Sequence, residues 1–174
     1  MLAERSARRG SFVLASGRQS GFYVDARLTT MSPDGLALIG PLALSRITTA
    51  FGHVNAIGGL TLGADPVSYA IAYASALAET PIRAFSVRKE AKIHGTGRLI
   101  EGPFRSGDTV VVIEDVITTG GSALRATEAI RGAGGIVRGV LAVVDREEGG
   151  RQALETAGLT VLTLASASEI ILCM

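Results

Sequence analysis

Two acidic residues stand side by side at the end of an apolar run: Asp108 to Asp115 reads DTVVVIED, with Glu114 and Asp115 last. After Val116 and Ile117 comes Thr118-Thr119-Gly120-Gly121-Ser122. Glycines let the backbone approach an anion closely, and successive N–H groups form a cradle for it. Threonine and serine hydroxyls add donors. A helix opening after such a loop contributes about half a positive charge at its N-terminus. Adjacent carboxylates repel when both ionise, unless hydroxyls or a cation satisfy them. The vicinal hydroxyls of a ribose would do so. Acids and loop together read as a ribose-5-phosphate site. The loop carries neither G-x-x-x-x-G-K-[ST] nor G-x-G-x-x-G, which argues against a nucleotide-triphosphatase P-loop and a dinucleotide fold. Taken without the acids, it is an ordinary glycine-rich turn with Ser122 as a plain N-cap.

A second group of chemistry-bearing residues is basic. The chain has two lysines among its seventeen Lys and Arg residues, Lys89 and Lys92, and both lie in Arg88-Lys89-Glu90-Ala91-Lys92-Ile93-His94 with one of the two histidines. Arg88, Lys89, Lys92 and His94 could close over a polyanion and neutralise charge as it develops on a leaving group. The bland alternative is a solvated surface loop, as charge runs usually are. A third candidate is Arg146, in Val144-Asp145-Arg146 at the end of another apolar run. An arginine fork binds a carboxylate in two parallel hydrogen bonds. The other histidine, His53, follows Gly52 at an expected helix end and reads as structural.

These residues need a scaffold, and the pattern supplies one. Asp108–Asp115 has the continuous apolar character of a buried parallel strand. Ser122–Arg131 reads as a helix ended by Gly132, Gly134 and Gly135. Ile136–Val144 and Leu159–Leu164 read as strands, with a short helix at Gly149–Ala157 between them. Upstream, Ser11–Val24 suits a small hairpin. Ser32-Pro33-Asp34 places Ser at an N-cap and Pro at N1 of a helix running to about Gly52. Asn55–Gly59 suits a short strand. Asp65-Pro66 repeats the N-cap pattern for a helix through Leu77, and Ile82–Val87 suits a strand. Glu90–Pro103 reads as a long loop. Strands alternating with helices predict a parallel sheet covered on both faces. In such sheets ligands bind outside the carboxyl ends of the strands, where the Thr118–Ser122 loop and Arg146 would meet.

Bulk properties narrow the classes. The 174 residues suit one domain, 1–174, with an N-terminal segment of about 1–30 and a core of about 31–174. A chain of this size buries about 70% of its unfolded surface without a disulfide or metal staple. With a net charge of +1, the chain shows no basic excess for nucleic-acid binding, so no nucleic-acid partner is expected. No apolar run approaches the ~18 residues needed to cross a bilayer, so no membrane partner is expected. The Arg-rich N-terminus resembles a transit peptide only faintly, because Phe12 to Tyr23 belongs to the expected fold. The single cysteine, Cys173, fits a reducing cytoplasm.

The run Glu114-Asp115-Val116-Ile117-Thr118-Thr119-Gly120-Gly121-Ser122 resembles the phosphoribosyl pyrophosphate (PRPP) signature of type I phosphoribosyltransferases. The segment R-K-x-x-K-x-H-G from Arg88 is similar to the catalytic loop of the orotate-specific branch. Ser16-Gly17-Arg18-Gln19-Ser20-Gly21-Phe22-Tyr23 is similar to that branch's N-terminal motif, and Gly58–Ala64 to its short pyrophosphate loop. The resemblance spans about Phe12 to Glu169. It departs at Leu62 and Ala15, where many relatives have lysine, so that the short loop would act through its backbone alone.

The resemblance implies a type I phosphoribosyltransferase fold: an α/β parallel sheet flanked by helices, with a small N-terminal hood. It implies transfer of phosphoribosyl from PRPP to orotate, giving orotidine 5′-monophosphate and pyrophosphate, in pyrimidine (UMP) synthesis. PRPP would bind through Arg88, Lys89, Lys92, His94 and the run from Glu114 to Ser122, including Val116 and Ile117. Catalysis would rest on Lys92, His94, Arg88 and Asp115. Orotate would meet Arg146 and Thr118 under a hood carrying Phe22 and Tyr23, although these aromatics fit a core role equally well. Mg²⁺ would arrive on PRPP rather than in a cage of protein side chains. A homodimer would share its loops, Arg88 acting within its own subunit and Lys92 and His94 across the interface. Two rivals stay open: a purine phosphoribosyltransferase, which the phosphate loop alone does not exclude, and a PRPP-sensing regulator that binds nucleic acid. The basic loop and Arg146 argue against the first, and the charge balance against the second.

Overall fold

A computed structural model describes residues 1–13, 19–90 and 99–174. After a short π-helical turn at Leu2–Ser6, strands β1 (Ala7–Val13) and β2 (Gln19–Val24) pair antiparallel. Then come α1 (Arg27–Thr30), α2 (Pro33–Phe51), β3 (Ala56–Leu60), α3 (Ala64–Leu77) and β4 (Arg83–Val87). The chain continues through β5 (Ile100–Glu101), β6 (Thr109–Ile117), α4 (Gly121–Gly132), β7 (Ile136–Asp145), α5 (Gly150–Thr156), β8 (Thr160–Ser166) and α6 (Ala167–Leu172). The main sheet has the order β5-β4-β3-β6-β7-β8 and is parallel except where β5 runs against β4. This is the expected α/β architecture, with β1 and β2 forming the small N-terminal appendage.

Strand β6 shows why the sheet is buried on both sides. Its β-branched residues suit a pleated, packed surface. Successive side chains point to opposite faces. Val111 and Ile113 join the core made with Ile39, Ile47, Val67 and Ile71 of α2 and α3. Val110 and Val112 join a second core with Ala126 and Ile130 of α4 and Leu154 of α5. Each such side chain contributes about 1.5–3 kcal/mol on full burial. The polar carboxyl edge is therefore held on a two-sided apolar base.

Several boundaries differ from the pattern-based expectation. Ser32 caps α2 as anticipated, its Oγ accepting from the Gly35 N–H at 3.1 Å. Asp65, by contrast, is not an N-cap. Helix α3 begins one residue earlier, and the Asp65 carboxylate accepts from Ser86 Oγ at 2.7 Å. That tertiary partner outcompetes the local cap. The expected loop Glu90–Pro103 contains a short strand, because Ile100 and Glu101 pair with Val87 and Ser86. Strand β6 runs past the acids to Ile117, so Glu114 and Asp115 lie within it rather than at its tip. Helix α6 was not anticipated. Its signal is a capping box in which Ser166 and Glu169 serve each other's backbone N–H groups.

Candidate active site

The turn after β6 is built for an anion. Gly120 is the N-cap of α4, in the left-handed region at φ 81°, where only glycine sits without strain. Ser122 is thus inside the first turn and not the cap. Residues Val116 to Ala123, with Glu114, wall a cavity of about 170 Å³. The N-terminus of a twelve-residue helix opens onto it, which favours negative charge. The turn is braced from behind by α5: Gly150 lies so close to the Thr118 carbonyl and the Gly120 nitrogen that a Cβ there would clash with both.

Strand alternation separates the two acids. Glu114 lies on the α4 side and feels Arg125 electrostatically, while Asp115 packs against Gly63 and feels Arg27. The backbone of Gly63 sits where a Cβ would strike the Asp115 carboxylate. Glu114 is buried, and its Oε1 has no hydrogen-bond partner among the described residues. Burial, reinforced by the neighbouring Asp115 charge, pushes the Glu114 carboxyl up to about 8. Burial also raises Asp115, opposed by backbone hydrogen bonds and Arg27. Two carboxyls whose pKa values burial raises in this way are ones that hydroxyl donors or a cation would satisfy.

A second cavity, of about 310 Å³, shares Glu114 and Ser122 with the first and adds Asp115, Lys89, Arg27 and the turn Leu60–Gly63. Strand β3 delivers that turn beside the phosphate loop, as the sequence suggested. Lys89 therefore lines the same cavity as the acids, and a neighbouring one as well. Arg88 lies one residue away but faces a neighbouring cavity of about 850 Å³ that Arg125 also lines, and it pairs with Glu101 at 3.5 Å. Lys92, His94 and Ala15 fall outside the described residues.

Arg146 is not a surface arginine. It is buried immediately after β7, and its backbone N–H donates to the Ile117 carbonyl at 2.9 Å, which ties it to the phosphate strand. Its Nη2 pairs with Glu148 at 2.7 Å and donates to the Phe22 carbonyl at 3.1 Å. The guanidinium also sits 5.6 Å over the Phe22 ring. The two hood aromatics divide: Phe22 is buried in the core, whereas Tyr23 is exposed and packs 5.4 Å from Phe12. Thr118 lines the phosphate cavity next to Arg146's strand. His53 is exposed and stands apart from these groups.

Sequence reasoning missed two residues of this region. Arg27 lines the cavity of Glu114 and Asp115, and Glu148 pairs with Arg146. Neither has a motif. Arg27 is brought in by the turn after β2, and Glu148 by the bend before α5.

Fold and loop together define an α/β enzyme of the phosphoribosyltransferase type. No protein-family model matches the chain. The chain is 49% identical over 160 residues to the orotate phosphoribosyltransferase of Aquifex aeolicus, covering 92% of this chain and 86% of the relative. Among solved structures, it is similar to Mycobacterium tuberculosis orotate phosphoribosyltransferase in complex with Fe(III) dicitrate. That match has a TM-score of 0.84 and 43% identity over 97% of this chain and 94% of the other. A complex of the same enzyme with PRPP matches at TM-score 0.75 and 43% identity, over 84% of this chain and 82% of the other. The chain belongs to the orotate phosphoribosyltransferase family.

Proposed function

We propose that this protein transfers the phosphoribosyl group of PRPP to orotate, releasing pyrophosphate and giving orotidine 5′-monophosphate for UMP synthesis. The observation that carries the reading is one continuous polar edge. The Thr118–Ser122 cradle, the strained carboxyls of Glu114 and Asp115, and buried Arg146 all stand at the carboxyl ends of β6 and β7. A relative of 43% identity forms a complex with PRPP, which supports the same ligand here.

In this reading the 5′-phosphate occupies the cradle, with backbone N–H groups and hydroxyls as donors. Glu114 and Asp115 accept from the ribose hydroxyls. The bond between C1′ and the pyrophosphate oxygen breaks toward an oxocarbenium-like state, the pair of electrons leaving with pyrophosphate, and the orotate nitrogen bonds to C1′ as its N–H proton passes to the departing pyrophosphate or to solvent. Arg88, Lys89, Lys92 and His94 stabilise the charge left on pyrophosphate. Arg146 holds the orotate carboxylate, assisted by Thr118, and Phe22 and Tyr23 cover the ring. Excluding water protects the cation from hydrolysis.

The donor set fits magnesium brought by the substrate. Glu114 and Asp115 are hard oxygen donors, and Glu114 Oε1 is unpartnered among the described residues. No group of three or more metal-ligating side chains occurs among those residues. Bound on the substrate, Mg²⁺ would offset the charge of the pyrophosphate oxygens.

The same reading includes a homodimer with the Lys92–His94 loop shared across its interface. Between α2 and α3 lies an apolar groove of about 1490 Å³ lined by Leu36, Pro41, Leu62, Tyr69 and Tyr73 among others. Tyr73 and Leu77 are 69% and 70% exposed. Apolar faces of this extent mark interaction surfaces. No helix among the described residues is long and apolar enough to cross a membrane, and Cys173 is a free thiol, which suits a cytoplasmic enzyme. The deciding assay follows loss of orotate absorbance with PRPP and Mg²⁺, beside a panel of purine bases. Consumption of a purine and not of orotate would overturn the reading.

A further inference from the structure

The cavity of about 310 Å³ between the acids and the Leu60–Gly63 turn has an unbalanced lining for its task. A diphosphate carries several negative charges. Glu114 and Asp115 already place two carboxyls in the same space. The turn beside them offers only backbone donors, since Leu62 has no charge and is 68% exposed. Among the described residues, the side-chain cations that line this cavity are Lys89 and Arg27.

Arg27 is held as a ligand-binding arginine would be. Its Nε and Nη2 donate to the Asp25 carboxylate at 2.8 Å and 3.0 Å, and Asp25 also accepts from the Arg27 backbone N–H at 3.2 Å. The pair fixes the plane of the guanidinium at the start of α1. Nη1 makes no hydrogen bond among the described residues, and Asp115 acts on the cation electrostatically. A guanidinium already oriented by one carboxylate loses little rotamer freedom on meeting an anion. The Asp25 backbone N–H donates to the Ser6 carbonyl at 2.8 Å, which anchors this corner to the N-terminal segment.

We propose that Arg27 is a substrate-binding cation for the diphosphate of PRPP and for released pyrophosphate, supplying the charge that Leu62 does not, with Asp25 as its positioning residue. This rests on the functional reading above and adds a residue to it. The hood segment then contributes to both substrates: the Phe22 carbonyl orients Arg146 on one side, and Arg27 reaches the leaving group on the other. The rival role for Arg27 is purely structural, as the partner that neutralises Asp25.

The test compares the native protein with Arg27→Ala, Arg27→Gln and the double variant Arg27→Ala/Leu62→Lys. Three constants are measured: KM for PRPP, KM for orotate, and the inhibition constant of magnesium pyrophosphate. Loss of one charge-assisted hydrogen bond should raise the PRPP and pyrophosphate constants by about tenfold or more. The orotate KM should stay within about twofold. Because Leu62 lines the same cavity, the lysine variant should recover a large part of the loss. Unchanged PRPP and pyrophosphate constants would overturn the proposal. So would an equal rise in all three constants with no recovery in the double variant, the pattern expected of a structural role. Should Arg27→Ala fail to fold, Arg27→Gln keeps the size of the side chain without the charge and answers the same question. The two readings fail separately. Absent orotate turnover in the native protein counts against the function, while weaker calorimetric binding of PRPP by the Arg27 variants still supports the cation.

Discussion

At the carboxyl edge of the sheet, the phosphate cavity measures about 170 Å³ and is walled by glycines, hydroxyls and a buried acid. On the outer face of α2 and α3, the groove measures about 1490 Å³ and is walled by Leu, Pro and Tyr. Leu62 borders this groove and also the cavity holding Asp115. The larger space is the less chemical one. Recognising a phosphate takes N–H groups held in place, which a short turn on a rigid strand provides. Covering an apolar face takes area, which two amphipathic helices provide. The contrast teaches that in the proposed reading apolar area marks the partner surface, whereas a buried carboxyl oxygen without a partner among the described residues marks the chemistry.

The largest effect should come from the basic loop. Lys92→Ala is expected to lower turnover by about 10²- to 10³-fold, the usual loss for one preorganised charge-stabilising donor, with thermal stability unchanged. Steady-state kinetics and a melting curve check it, and a fully active variant would remove the loop from the mechanism. Next is the apolar groove. Tyr73→Asp puts an uncompensated charge into a surface that the dimer reading buries. It should weaken association by about 3 kcal/mol, the low end for such a charge in a groove open to solvent. Light scattering would then report monomers, and activity should fall with the dimer if the loop is shared. An active monomer would break the link between the two regions.

Most of the fold was readable because it is local. Ser32, Pro33 and Gly52 punctuate α2, and the valines of β6 announce a buried strand. The turn after β6 was readable as a candidate site because nearly contiguous residues, Glu114 and Val116 to Ser122, wall its cavity. What escaped depends on tertiary pairing. Asp65 looks like a cap until Ser86, far along the chain, takes its carboxylate. Ile100 and Glu101 pair only because β4 lies beside them. Arg27 carries no motif at all. It enters the site because the turn after β2 places it opposite Asp115, and Asp25 alone gives no hint of that. The departure at Leu62 was visible in the sequence, but its answer was not.

The carboxyl edge should also leave a pH signature that the apolar face cannot produce. Glu114 is raised to about 8 by burial first and Asp115 second. Its folded pKa lies above the unfolded value of 4.5, so between these limits the folded state binds more protons than the unfolded. Stability from this group is complete below pH 4.5 and is lost as pH rises toward 8. The protein without ligand should therefore melt roughly 10 °C lower at pH 8 than at pH 5, since a shift of this size is worth about 3–4 kcal/mol over that range and ~1 kcal/mol moves the melting point of a domain of this size by about 2–4 °C. Glu114→Gln, which cannot ionise, should flatten that slope. A native protein whose melting point stays level across this range would show that the acid is not strained.

The smallest expected effect comes from a helix cap that lines neither the site cavities nor the apolar groove. Ser166 Oγ accepts from the Glu169 N–H at 3.2 Å, and the Glu169 carboxylate accepts from the Ser166 N–H at 2.7 Å. This box starts α6, whose Ala167 and Ile170 join the core. Ser166→Ala removes one half of the box and should cost about 1 kcal/mol. The melting point should drop by about 2–4 °C, with KM values and oligomeric state unaltered. If turnover or dimerisation shifted instead, α6 would be coupled to the carboxyl edge, and the separation between a site made by local backbone and a surface made by helix faces would not hold.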